Sequence, residues 1–382
     1  MAVTRRESLQ TLLLAGATAA GWKPGSAAEK SETHVPIRAI TKGPKHHWFG
    51  YYDKLEFDAT NRYVLSNQVD FEHRSPRADD VIQVGMVDTQ DSDRWIELGQ
   101  SKAWGWQQGC MLQWRPGAAD EVLWNDRVDD HFACHVLNVK TKKRRTLPMP
   151  VYTVSSDGQQ PVTAAFARIT TLGEMAKLPY RGKTLEDKWN YFNHLLVSPD
   201  GRRFIFLHRW RQDGAGSPTG GFTTRMFTAN MDGSGLFELD PSGNTSHFIW
   251  RDPQHICAWT RPAGKKAAFY LFQDKTRKVD IVGEGVMTHN GHNTYLPVGE
   301  NQWILNDTYP DGRRRQTPYL FNVATGKRFD LGHFYSPPEY KGEWRCDTHP
   351  RSSRDGLTVA IDSPHGGDGR QVWLLDVREI VG

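Results

Sequence analysis

Between residues 33 and 382 the chain alternates short apolar runs with turn residues, and almost nowhere places apolar side chains at the three-to-four spacing of an amphipathic helix. Runs such as Tyr63-Val64-Leu65, Glu121-Val122-Leu123-Trp124, Phe204-Ile205-Phe206-Leu207 and Thr358-Val359-Ala360-Ile361 have strand length and strand composition. Asp-Gly pairs at Asp157-Gly158, Asp200-Gly201, Asp232-Gly233, Asp311-Gly312 and Asp355-Gly356 punctuate them as hairpin turns. Residues 171–188 break the pattern. They are polar and predict a surface loop or short helix.

Aligned on their turns, the runs resolve into seven units, each reading polar anchor, strand, turn, apolar strand. The anchors are His47, Gln108, His194, His247, His292 and His349, with a degenerate copy at Ser155-Ser156-Asp157-Gly158. A unit takes roughly fifty residues, enough for two hairpins and hence for one four-stranded blade. The expected fold is all-β: a seven-bladed β-propeller of four-stranded antiparallel blades round a central channel, spanning 33–382. In such a fold the innermost strands begin near the channel, at the funnel mouth. Those strands pack tightly, so small or apolar residues are the ordinary choice there. Histidine at five anchors instead predicts imidazoles converging on one face.

Composition narrows the function. Aromatic residues make up 11% and charged residues 24%, which suits a packed globular chain and excludes a disordered one. A net charge of +4 is small, and the basic runs Lys142-Lys143-Arg144-Arg145 and Arg313-Arg314-Arg315 lie beside turns, so no nucleic-acid partner is expected. Four dispersed cysteines give no disulfide framework. The Trp and Tyr content suits stacking on sugar rings. At the N-terminus Arg5-Arg6 precedes the apolar run 12–20 and the small residues Ser26-Ala27-Ala28. Residues 1–30 thus resemble a twin-arginine-type export signal, with an apolar run too short to span a bilayer. That predicts a periplasmic or secreted protein without stable membrane insertion once the signal is removed.

Two constellations carry chemistry. Cys346-Asp347-Thr348-His349 sets a thiol and an imidazole at ligand spacing, and His292 begins the preceding unit beside them. His292, Cys346 and His349 are therefore the candidate ligands of one divalent metal, with His289 and Asp347 as a fourth ligand or support. A thiolate with two imidazoles favours zinc over manganese. Arg225 and His247 form the other pair. Elimination across C4–C5 of a uronic acid needs the carboxylate neutralised, so that the C5 proton becomes acidic, and a base near neutral pH. A guanidinium fork fits the first role and imidazole the second. Candidate substrate-binding residues are His47, Gln108, His194, Arg209 and Arg351, Arg209 being open to outer-strand packing instead. The segments 70–74 and 104–108 read as binding loops.

Arg225-Met226-Phe227, Asp232-Gly233-Ser234, Ser246-His247-Phe248-Ile249-Trp250, the His292 anchor and Cys346-Asp347-Thr348-His349-Pro350 resemble, in order and spacing, the second half of oligogalacturonate lyases. The resemblance implies a seven-bladed propeller cleaving uronides by β-elimination. It places Arg225 and His247 on the catalytic Arg and His, and His292 and His349 on ligands of a manganese. Cys346 stands where that family has Gln, and Arg351 where it has a further His. Seven-bladed ulvan lyases, with a structural zinc and an active-site His, Tyr and Arg, are a comparable match, and that likeness implies Tyr51 or Tyr52 as acid for the leaving oxygen. The expected function is an exported polysaccharide lyase acting on an acidic, uronic-acid-containing glycan. The competing expectation is a non-catalytic propeller, similar to the translocation protein TolB, that binds glycan or a protein partner. A glycosidase needs two facing carboxylates, and the anchors offer none.

Overall fold

A computed structural model of the chain describes residues 31–162, 171–211 and 221–382; the expected export signal at 1–30 lies outside the described residues. Antiparallel strands build most of it, and in chain order the blade sheets form seven units. The first runs outward from His46–Trp48 through Tyr63–Val69 and Ile82–Asp88 to Arg94–Ser101. The second, fourth, fifth and sixth begin at Gln113–Trp114, Trp189–Val197, Phe248–Asp252 and Thr294–Tyr295, each four-stranded. The third has two strands among the described residues, Thr153–Val154 and Pro161–Val162, where four were expected. The seventh takes three strands from Arg351–Ser352, Thr358–Ser363 and Gln371–Asp376. Its outer strand is Ile37–Ala39 from the N-terminal side, with Ile37 opposite Leu375 and Ala39 opposite Trp373. That exchange closes the ring of a β-propeller. No helix among the described residues is long and apolar enough to cross a membrane.

Strand parity shows how the ring is packed. Val64 meets Val87, Ala360 and Leu374 in the seam between the seventh and first units. Its neighbour Leu65 meets Val84, Trp114 and Trp124 in the seam between the first and second. The same alternation sends Phe204 and Phe206 toward Val162 of the third unit, and Ile205 and Leu207 toward Trp250 and Ile256 of the fifth. Leu123 faces Val151, Cys257 faces Ile304, and Leu305 faces Val359. Each sheet buries both faces. The polar stretch at 171–188 starts with helix Leu172–Lys177, closed by a Thr171–Glu174 capping box, and its Met175 packs into the seam of the third and fourth units.

Two residues expected to bind substrate belong to this framework instead. Arg351 is fully buried, its Nε 2.7 Å from Glu56 Oε2 and its Nη2 3.0 Å from Asp362 Oδ1, and it does not line the central cavity. One guanidinium between two carboxylates joins the first and seventh units, so Arg351 has no capacity left for a ligand. His47 lies on the same seam. Its Nδ1 donates to Gln371 Oε1 at 3.0 Å and its Nε2 accepts from Gln68 Nε2 at 2.8 Å, which uses both ring nitrogens.

Removing Arg351 strands both carboxylates. Arg351→Leu is expected to cost about 3–5 kcal/mol in urea denaturation, and a loss below about 1 kcal/mol would refute this role. Burial holds His47 down at about 4, against its ordinary 6.5, despite the Gln371 bond. Between those values the unfolded chain holds the extra proton, so His47 stabilises the fold above pH 6.5 and progressively less as pH falls toward 4. Acidification from pH 6.5 to 5 should cost about 2 kcal/mol through this residue, and denaturation curves of His47→Gln should be flatter with pH by that amount.

Candidate active site

The innermost strand of the first unit is interrupted. Trp48 pairs with Asn67 and Phe57 with Val64, while the Leu65 amide donates to Glu56, so residues 49–55 stand opposite Ser66 alone. This loop turns in to the axis past Gly50, whose φ is +126° and whose Cβ position lies 2.9 Å from the Gln108 backbone, where no side chain fits. Tyr51 and Tyr52 project from it among the anchor histidines. The Tyr52 hydroxyl donates to the Phe248 carbonyl at 3.0 Å and accepts from the Phe248 amide at 3.2 Å, a brace from the first unit to the fifth. The Tyr51 hydroxyl is hydrogen-bonded to His194 Nε2 at 2.5 Å. Burial raises both phenols well above their ordinary value, so both are proton donors.

Over these groups lies a cavity of about 1020 Å³. Of the residues singled out by sequence, Tyr51, Gln108, His194, Arg209, His247, His292 and His349 all line it. Ring centroids of His247 and His292 are 4.3 Å apart, those of His292 and His349 4.2 Å, and those of His194 and His247 5.9 Å. Burial holds His194, His247 and His349 well below the ordinary imidazole value, helped by Arg209 at His194 and by His292 at the other two. Each is thus neutral at neutral pH and carries a lone pair. His194 and His349 have φ of +53° and +38°, a left-handed backbone costing about 1–3 kcal/mol at each. At His194 it coincides with a bulge between Asn193 and Leu196 that re-aims the ring.

His292, Asp347 and His349 are buried and offer three ligand atoms within 4.8 Å of one another. His292 Nδ1 donates to Asp307 Oδ1 at 2.9 Å, and Asp307 also accepts from the His292 amide and the Thr348 hydroxyl. Burial alone would raise Asp307; His292 and these bonds outweigh it and keep the carboxylate ionised. His292 Nε2 is thereby left for a ligand, the usual arrangement of a metal-binding imidazole. Asp347 Oδ2 accepts from Arg345 Nε at 2.7 Å, while Oδ1 is buried without a hydrogen-bond partner. A carboxylate oxygen unpaired beside two imidazoles fits a divalent cation.

Cys346 is not one of these donors. Its thiol is buried near Arg370, Asp362 and Glu72, and it is not in the cluster whose ligand atoms lie within 4.8 Å of one another. The next residue, Asp347, offers the donor instead, and a preference for zinc resting on sulfur falls with the thiol. His289 is exposed and bonded to Thr288. Arg225 also lies outside the cavity, and strand parity is the reason. It stands opposite His208 and shares its sheet face with Phe227, whereas Arg209 shares the other face with Leu207. The Arg225 guanidinium binds the carbonyls of Met175, Leu178 and Pro179, tying down the C-terminal end of the short helix.

Arg209 is one of the arginines that line the cavity, with Arg77, Arg127 and Arg345. It stacks on Phe222 at 4.3 Å, its Nε is buried without a hydrogen-bond partner, and it forms no ion pair among the described residues. Sequence reasoning missed Arg345, Tyr152 and Tyr309, which also line the cavity. Tyr152 accepts from Gln108 Nε2 at 2.9 Å and donates to Asn193 Oδ1 at 3.3 Å. None of the three stands at a repeat anchor, so the repeat carried no signal for them. From the expected binding loops, Trp104 and Trp106 reach the cavity wall with Phe71 packed behind, whereas Arg74 pairs with Asp80.

Comparison with protein-family models and with curated proteins gives no match. Among solved structures the chain is similar to an oligogalacturonate lyase from Vibrio parahaemolyticus, with TM-score 0.63 and 14% identity over 92% of this chain and 98% of that one. It is also similar to an oligogalacturonate lyase in complex with manganese, with TM-score 0.59 and 12% identity over 91% of this chain and 95% of that one. At these identities the likeness is one of fold, and the fold is the β-propeller of the oligogalacturonate lyases.

Proposed function

We propose that the chain is an exported lyase that cleaves a uronic-acid-containing glycan by β-elimination in the central cavity. One observation carries the reading: a guanidinium that forms no ion pair among the described residues, Arg209, shares a cavity with the neutral imidazoles of His194, His247 and His349 and a protonated phenol. The fork of Arg209 binds the uronate carboxylate and stabilises the charge that grows on it as the C5 proton leaves. His247 is the base. Its Nδ1 donates to Asn290 Oδ1 at 3.1 Å, which leaves the Nε2 lone pair to take the C5 proton. The released electron pair forms the C4–C5 double bond and the C4–O4 bond breaks. Tyr51 gives its proton to O4, and His194, bonded to the phenol, holds that hydroxyl in place. His292, Asp347 and His349 would hold a divalent ion, which would supply positive charge to the site when bound, and two imidazoles with a carboxylate suit manganese as well as zinc. The likeness to oligogalacturonate lyases supports an acidic oligosaccharide as substrate.

Incubating the protein with a panel of uronides and following ultraviolet absorbance of the unsaturated product tests the reading directly. Silence across the panel with glycan still bound would sink the lyase and leave a binding propeller. With an active substrate, Arg209→Ala is expected to lower kcat/KM about 10²–10³-fold and His247→Ala about 10²–10⁴-fold, both with unchanged circular dichroism. Arg225→Ala should instead lower the melting temperature while the folded fraction keeps the parent kcat/KM. Parent activity in Arg209→Ala would contradict the assignment of carboxylate binding to that residue.

A further inference from the structure

We infer a second divalent-cation site, outside the central cavity, formed by Glu32, His34 and His333. Backbone pairing brings the three together. Strand Glu32–Thr33 runs along Gly332–Tyr335 with Glu32 opposite His333, so a carboxylate and an imidazole share one face of the ladder. His34 follows, its ring edge-on to that of His333 with centroids 5.0 Å apart. Ligand atoms of the three residues lie within 4.8 Å of one another. Tetrahedral zinc would draw its donors to roughly 3.3 Å, a closure within reach of side-chain rotation at residues as exposed as Glu32 and His34.

The bonding of His34 points to a cation. Its Nδ1 lies 3.0 Å from the Asp330 carbonyl and its Nε2 3.2 Å from Glu32 Oε1, so both nitrogens face acceptors. A neutral imidazole can donate from only one. With Nδ1–H given to the carbonyl, the Nε2 lone pair faces a carboxylate, and the pair is reconciled by a second proton or by a metal ion between them. His333 is oriented in a matching way, its Nδ1 2.8 Å from the Thr317 hydroxyl, which leaves Nε2 available. A fixed Nδ1 and an available Nε2 is how ligating imidazoles are held. The nearest competitor is Arg315, 3.8 Å from the other Glu32 oxygen. Two imidazoles and a carboxylate suit a borderline divalent ion such as zinc, with water completing the shell. None of the three residues lines the central cavity. An ion here would staple Glu32–Thr33 to the sheet it forms with Gly332–Tyr335 and Arg315–Gln316.

Titration of the chelator-stripped full chain with zinc, followed by calorimetry, tests the site. His34→Ala and Glu32→Gln, both at exposed positions, are expected to bind about one zinc ion fewer per chain than the parent. His349→Ala, altered in the cavity, should keep the outer ion and the rise in melting temperature that zinc brings, and His333→Ala added to it should abolish both. Unchanged stoichiometry in His34→Ala and Glu32→Gln would overturn the inference whether or not the cavity binds metal.

Discussion

In a closed ring of sheets a blade strand has no spare face. Val64 and Leu65, or Phe204 and Ile205, are adjacent in sequence yet pack into different seams. Each Å² of apolar surface so buried contributes about 25 cal/mol, and nearly the whole length of the central strands is committed to it. Polar chemistry is left with the axial ends of the innermost strands and the loops between them. His247, His292 and His349 stand one or two residues before Phe248–Asp252, Thr294–Tyr295 and Arg351–Ser352 for that reason.

Crowding polar groups at one end of a packed ring removes them from water, and each group must then be answered by another. Arg351 is answered by Glu56 and Asp362, Arg370 by Glu72, and Arg225 by the carbonyls of a helix end. These pairs fix the frame. His194, His247 and His349 are answered differently, by losing their charge, which turns potential cations into lone pairs. Among the described residues Arg209 forms no ion pair and Asp347 Oδ1 has no hydrogen-bond partner, the one lining the cavity and the other clustered with His292 and His349. A uronate carboxylate and a divalent ion are complementary to that remainder.

Much of this was legible in the sequence because repetition amplifies weak signals. One histidine before a strand says little, but His194, His247, His292 and His349 at equivalent points of successive units located the cavity. What misled was parity. Arg225 and Arg209 lie on neighbouring strands of one sheet and both look like strand arginines, but only the register, with its bulge at His194, decides which face each takes. Cys346 and Asp347 differ by a single position, and the transfer of a ligand pattern by spacing chose the wrong one. His47 held an anchor position, but in the first unit the approach to the axis comes later, at residues 49–55, where the pairing pattern skips. Arg345, Tyr152 and Tyr309 arrive from connections whose lengths differ between units, so no periodicity could expose them.

The loop at 49–55 stands outside the hydrogen-bonded ladder, with Ser66 alone across from it. It is tied instead to other units: the Phe49 amide donates to Asp362, the Leu55 carbonyl accepts from the Trp114 amide, and the Tyr52 hydroxyl holds Phe248. The phenol of Tyr51 is borne by this loop, while the imidazoles of His247, His292 and His349 stand just before strands of the fifth, sixth and seventh units. The phenol and these imidazoles thus belong to different parts of the frame, the one to a loop at the axis and the others to the strands round it. On the proposed reading, the group that receives the leaving oxygen and the group that takes the proton are therefore held by different elements of the ring.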